Sequence, residues 1–481
     1  MISKRIITAA LIALNSVSFP SIAQVSIGTS NTPSNPSAML DVQGTEKGLL
    51  FPRLTSQQRR NIQNPSAGLV VFDTEKQALY LYNGILWKAL SLTDLASTVT
   101  ATGVEDATGA SGDAFGINVK ISGNYAVAGA YNDDIGANTD QGSATVYKYE
   151  NGAWTFMQKL VANDGGAGDS FGGGLLIDGN LIMVGAYNDD IGENIDQGSV
   201  YVFKLENGVW IQKQKFTGSN ATTGDAFGGG MSVQNGMAVI CAYRDDIGAA
   251  TDAGAAYIFK LNDSTGLWNE TQKIYPNDGT SGDRFGNTVC VNGDKIIVTA
   301  FYDDVNSTYH RGSAYIFTNQ NGSWVQTAKL TANDGAYDDV FGTNAAIQGD
   351  FALVGAYNAD ISFANQGACY LYKLESGVWV QKQKIMAADA GTNGFFGQSV
   401  ALKDGYAVIG SHGLNSLQGA AYVFQLNPVN STMSQLLKIT AADAAANDYL
   451  GFSADISNYN VIIGAYGKNG LKGKVYFKNI D

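Results

Sequence analysis

Three loops of the chain carry most of the side chains that could do chemistry. They read YNDDIGANTDQGS (131–143), YNDDIGENIDQGS (187–199) and YRDDIGAATDAGA (243–255). In each, a pair of aspartates precedes a third by six residues: Asp133, Asp134 and Asp140; Asp189, Asp190 and Asp196; Asp245, Asp246 and Asp252. Several carboxylate oxygens on one short loop suit a hard divalent cation such as Ca²⁺. The same residues also shape loops by accepting hydrogen bonds from neighbouring backbone N–H groups, with no ion required. Spacing leaves both readings open.

A second series is aromatic. Tyr131, Tyr187, Tyr243, Phe301, Tyr357, His412 and Tyr466 end seven similar apolar segments. If those segments are equivalent strands, the seven side chains form a ring on one face. Such a ring can stack a sugar or peptide, or serve packing alone.

Catalytic signals are absent. The chain has two histidines, His310 and His412, and none of the HExxH or GxSxG patterns or clustered Cys/His ligands that mark metal or nucleophilic centres. Carboxylate pairs recur with the loops, and repetition suits a scaffold better than one acid/base pair. Cys241, Cys290 and Cys369 are an odd number at strand positions, so they read as small buried hydrophobes rather than a disulfide framework. The chain therefore reads as a non-enzyme that requires no cofactor.

The elements that position these residues come from an internal repeat. Phe115-Gly116, Phe171-Gly172, Phe227-Gly228, Phe285-Gly286, Phe341-Gly342 and Phe396-Gly397 are spaced by 55 to 58 residues, and a degenerate Leu450-Gly451 follows 54 residues later. Each unit predicts four short strands. The first follows the Phe-Gly pair, and a two-residue turn such as Gly123-Asn124 or Asp178-Gly179 leads to the second, as in IMVGAY (182–187). After the polar loop comes an alternating third strand, as in VYVFKL (200–205). An Asn-Gly or Ser-Gly turn, a strong hairpin signal, then precedes a fourth strand bearing Trp. Trp154, Trp210, Trp268, Trp324 and Trp379 share one position of successive units, as residues packed between neighbouring sheets would. Units of this length with hairpin turns exclude a β-solenoid.

The fold class is therefore all-β: a seven-bladed β-propeller of four-stranded antiparallel blades over residues 97–481. The seventh unit supplies only three strands, LGFSADI, NVIIGAY and GKVYFKNI. Ser97–Val104 is thus expected to complete the last blade and leave no open edge.

Ahead of the repeats, Lys4 and Arg5, the apolar run Ile6–Leu14 and the small residues Ser21-Ile22-Ala23 read as a signal peptide over 1–23. That run is too short for a permanent anchor, and no later segment can span a membrane. Residues 24–96 read as a linker and a small mixed module with a helix over 55–62. At 30 basic and 43 acidic residues the net charge is −13, which disfavours nucleic acid and anionic lipid as partners.

The Phe-Gly pairs and the VGAY elements in register resemble FG-GAP repeats, the family of integrin α-chain propellers and many bacterial surface proteins. The resemblance covers about residues 105–481. The segments VSIGTSNTPSNPSAMLDV, KGLLFPRLTSQQR and LVVFDTEKQALYLYNGILWKAL resemble a module common in exported proteins of Bacteroidota. Together these imply a secreted or outer-surface adhesion module for an extracellular protein or glycan. The alternatives are a polysaccharide-acting hydrolase or lyase at the channel mouth and a purely structural surface component. The integrin-type calcium loop lies between the first two strands of a repeat. Here only a two-residue turn stands there, so those sites do not carry over. Lys468, Lys472 and Lys474 make the seventh loop basic where the first five are acidic, an asymmetry that could orient a partner. Ligand identity and oligomeric state are left open.

Overall fold

The computed structural model describes residues 25–28, 40–43, 49–82, 84, 86–89 and 97–480. The signal-peptide reading over 1–23 and most of the linker lie outside them. The chain divides into two units, Met1–Asp94 and Leu95–Asp481.

In the first unit, Val25–Gly28 runs parallel to Leu40–Gln43. A small mixed sheet is built from Arg53–Leu54, Val70–Asp73, Ala78–Tyr82 and Trp87–Ala89. The expected helix is shorter, Ser56–Arg60, and Thr55 opens it with a capping box to Gln58. Its central tie is not legible in the residues alone. Arg59 Nε donates to Asp73 Oδ2 at 3.0 Å with both side chains fully buried, and the guanidinium lies 3.8 Å over the Tyr80 ring.

The second unit is the propeller. Blades two to six run in order first to fourth strand: Phe171–Asp178, Leu181–Ala186, Ser199–Glu206 and Val209–Phe216 make blade two. Its first turn is Gly179-Asn180, one residue later than expected, because the first strand extends through Asp178. Alternation on each strand leaves both faces of a blade apolar, so neighbouring sheets pack face to face. Val127 and Val146 of blade one, for example, share a core with Ile182, Tyr201 and Trp210 of blade two. The ring closes where Ile462, Val475 and Phe477 meet Phe115, Val119 and Tyr147.

Closure uses Ser97–Val104 twice. Thr102–Val104 pair antiparallel with Val475–Phe477, the expected completion of blade seven. Ser97–Ala101 run parallel to Leu437–Ala441 at the outer edge of blade six, which the sequence did not announce. One segment thus ties two blades.

The Phe-Gly and Gly-Ala-Tyr motifs are halves of one contact between blades. Gly172 has φ +98°, and a Cβ on Gly129 of the preceding blade would lie 2.1 Å from its carbonyl oxygen. Two bare backbones touch there, and the buried Phe171 fills the space beside them.

Candidate functional site

The acidic loops, the linkers that carry the Phe-Gly pairs and the ends of the second strands share one end of the propeller, the loop face. The three aspartates of a loop do not converge. The first is buried and tied inward. Asp189 accepts from Tyr201 Oη at 3.1 Å and pairs with Lys215 Nζ at 2.8 Å. Asp245 accepts from Tyr257 Oη at 2.5 Å and pairs with Lys273 at 2.7 Å. Asp133 is held by Ser143 and Lys159. The second braces the loop: Asp134, Asp190 and Asp246 accept from the backbone N–H of Asp140, Asp196 and Asp252 at 2.8 to 2.9 Å. The third supplies that N–H from a left-handed conformation, φ 51° to 53°. Among the described residues no three His, Cys, Asp or Glu side chains are placed to hold a metal ion. Each of the three aspartates is thus engaged within the fold, and together they brace the loop.

A further carboxylate in each linker sits close behind. Asp225 accepts from the Thr222 N–H, and burial, with the charge of Asp245 adding, pushes it up to about 6. The basic loop of blade seven is internally neutralised, which corrects its reading as an orienting patch. Lys468 is buried against Asp448 at 2.8 Å, and Lys474 pairs with Asp443 at 2.9 Å and Glu105 at 3.4 Å. Lys472 lies 3.9 Å from Glu105.

The aromatic series does assemble. Phe301, Tyr357 and His412 line the mouth of the central channel on the loop face. Tyr466, Tyr131, Tyr187 and Tyr243 directly follow the second strands of consecutive blades seven, one, two and three, so they succeed one another around the circle, and burial pushes Tyr187 and Tyr466 up to about 12. All seven are half-buried.

Rings that sequence reasoning missed join them. Phe395 stacks on His412 (4.9 Å, 9°) and meets Tyr357 at 5.9 Å; Phe452 lies 5.4 Å from His412 and 4.7 Å from Tyr466; Tyr449 stacks on Tyr466 at 5.0 Å. Phe395 and Tyr449 precede the Phe-Gly position, where blades one to three carry Ala114, Ser170 and Ala226. Every one of these residues has φ between 53° and 58°. The signal was there: aromatic residues replace small ones at that position only in blades six and seven. In blade four, Tyr302, His310, Tyr309 and Tyr337 form a consecutive stack with centroids 3.5 to 5.3 Å apart. Arg284 lies over its Tyr302 end. Burial pushes His412 down to about 4, so its imidazole is neutral at pH 7, and its Nδ1 is buried without a hydrogen-bond partner.

The channel mouth encloses about 490 Å³. Around it stand the amides of Asn118, Asn287, Asn344 and Gln398, hydroxyls such as Thr288 and Ser399, and Lys120; no Asp or Glu lines it. The Nδ2 groups of Asn118 and Asn287 donate to Gly173 O at 3.1 Å and Thr343 O at 2.7 Å of the next blade, which holds those amides in place.

A closed ring of blades with a non-repeating polar and aromatic mouth defines a propeller of the binding or scaffold class. The chain belongs to the FG-GAP repeat family, whose repeat matches residues 105–147, 154–203, 210–259, 268–317, 324–372, 379–424 and 433–477. Residues 26–103 match a phage tail like trimerisation region. No curated protein matches the chain. Among solved structures, it is similar to the WD40 repeats of RRP9 at 10% identity and TM-score 0.49, covering 80% of this chain and 98% of that one. A Bacteroides uniformis protein described as a 6-phosphogluconolactonase matches at 11% identity and TM-score 0.46, covering 76% and 92%. Sqt1 of Saccharomyces cerevisiae matches at 12% and 0.41, covering 80% and 86%. No helix among the described residues is long and apolar enough to cross a membrane.

Proposed function

We propose that the protein is an exported, surface-displayed binding module that engages an extracellular protein or glycan through the loop face of its propeller. The observation that carries this is the channel mouth, where non-equivalent blades place different side chains on a rigid frame. Function in a cyclic repeat belongs where the blades differ. The repeats supply strength and the exceptions supply recognition. The loops act here as self-braced struts, without calcium.

The match to a trimerisation region supports assembly of three chains through the first unit. Leu49 and Leu50, 56% and 79% exposed there, are candidates for burial against other copies. Three linked propellers would gain avidity on a repetitive surface.

A polysaccharide hydrolase or lyase is the competing reading. Most glycosidases need two carboxyl groups flanking the scissile bond. The mouth offers aromatic side chains without a carboxylate, which favours binding over cleavage. The deciding experiment screens the full mature chain on glycan and matrix-protein arrays, with and without EDTA, alongside its sedimentation behaviour. Capture of one ligand class, unchanged by EDTA, is the expected result. No capture under either condition overturns the binding reading in favour of a structural surface component.

A further inference from the structure

The geometry points to the channel mouth on the loop face as a site for a neutral oligosaccharide, with an aromatic track over blades four to seven leading to it. This rests on the binding reading above and narrows it to one ligand class. A sugar ring presents hydroxyls at its rim and an apolar C–H surface on its faces. The mouth matches both. Amides of Asn118, Asn287, Asn344 and Gln398 each donate and accept, as a row of hydroxyls requires. Phe301, Tyr357, His412 and Phe452 line the same cavity and offer apolar ring surface. Its volume of about 490 Å³ is that of a small-ligand site.

Charge selects the class further. Lys120 is the one charged side chain lining this mouth, and the chain as a whole carries −13. A phosphorylated or polyanionic ligand would meet one cation against a repelling field. The acidic side chains of the loops are engaged elsewhere, with Lys215, Lys273 and Lys329 among their partners.

The track extends the site beyond one sugar. Tyr337 and Tyr309, 70% and 46% exposed, begin it on the rim of blade four, and the stack passes through His310 to Tyr302. Phe301 lies 4.0 Å from Tyr302 and lines the same cavity as Tyr357, which carries the track from the rim to the mouth. From Tyr357 the rings continue through Phe395 and His412 to blade seven. In blades two and three, Tyr187 and Tyr243 instead pack flat against Gly173 and Gly229, where a Cβ would meet their rings. The aromatic side of the face is also where folding economy is set aside. Phe395 and Tyr449 occupy a left-handed backbone position that Ala or Ser fills in blades one to three, and His412 buries an unpartnered nitrogen.

The test titrates the full chain calorimetrically with cellohexaose, mannohexaose and chitohexaose, and with a chondroitin sulfate hexasaccharide as the anionic comparison. Saturable binding of a neutral hexasaccharide is expected, weakened about tenfold or more by Asn344→Ala and by Tyr337→Ala. Tyr337 is exposed, so that variant retains the wild-type melting temperature and reports on contact rather than folding. Binding of the anionic hexasaccharide alone overturns the neutral assignment, and binding untouched by both variants overturns the site. If matrix proteins are captured on arrays while no neutral hexasaccharide binds, the oligosaccharide inference falls and the binding reading stands. If neither class binds, both fall.

Discussion

Gln158 of blade one holds the main chain of Trp210 in blade two from both sides: its Nε2 donates to Trp210 O at 2.9 Å, and its Oε1 accepts from Trp210 N at 2.8 Å. The same clamp joins Gln214 to Trp268, Gln272 to Trp324 and Gln383 to Met433. Repeated tryptophans therefore mark a blade junction where packing and backbone pairing coincide. Between blades four and five the clamp position is Ala328, opposite Ile316 in the register that holds Gln in blades one, two, three and five.

That exception is testable. Each neutral hydrogen bond contributes about 0.5–1.5 kcal/mol net, so Gln272→Ala should cost about 1–3 kcal/mol in denaturant unfolding. Ala328→Gln should install the missing pair with Trp379 and raise the melting temperature. A fall in stability with Ala328→Gln would show that the junction cannot take the clamp.

The glycine contact between blades makes a position-specific prediction. A Cβ at Gly185 would lie 2.0 Å from Gly228 O, a backbone atom that cannot swing aside, so Gly185→Ala should destabilise by about 1–3 kcal/mol. Blades three and four already carry Cys241 and Thr299 at the equivalent position. Cys241→Ala should therefore fold normally and lower the melting temperature less than Gly185→Ala does. Burial also pushes the Cys241 thiol up, so iodoacetamide should leave it unmodified in the native state.

Asp245 decides between ion binding and internal bracing. Its side chain is 2% exposed and bound to Lys273 and Tyr257. Asp245→Ala strands Lys273 and should cost about 3 kcal/mol, whereas EDTA should not move the wild-type melting temperature. A calcium-dependent rise in melting temperature that Asp245→Ala abolishes would restore the cation site.

Acid behaviour should show two opposing limbs. Asp225, raised to about 6 from 3.8, binds its proton more tightly in the folded chain. Its stabilising contribution is complete below 3.8 and is lost as pH rises through about 6. Burial pushes Asp443 up too, but hydrogen bonds from Tyr476 and Lys474 outweigh it and hold the group at about 2. Its contribution is present above 3.8 and lost as pH falls through about 2. Asp225→Asn should flatten the decline between about pH 4 and 6 in melting temperature, leaving the acid limb in place.

Fold and site differed in how far they could be read from residues alone. The number of blades, the four strands of each and the closing role of Thr102–Val104 were legible because they rest on local patterns: alternation of period two, Asn-Gly turns and a repeat of constant length. The expected helix over 55–62 was too long, and the Arg59–Asp73 tie went unseen, since nothing in either neighbourhood marks a pair that meets only when the helix packs against the strand Val70–Asp73. The loops made the point more sharply. Asp133, Asp189 and Asp245 looked equivalent to their neighbours Asp134, Asp190 and Asp246. Only the tertiary structure turned one set inward to lysines from the fourth strands and left the other set bracing exposed loops. The lysines of blade seven, conspicuous in sequence, vanish into pairs with Glu105, Asp443 and Asp448. Conversely, Phe395 and Tyr449 stood out only as aromatic exceptions at a position small in blades one to three, and the ring of blades was needed to bring them and Phe452 beside His412 and Tyr466. The sequence by itself determined the repeating frame, because each blade is specified by short-range contacts. The tertiary structure decided the mouth and its aromatic track, because a repeat fixes equivalent positions, but only the closed ring shows which of the substitutions that differ between blades face one another.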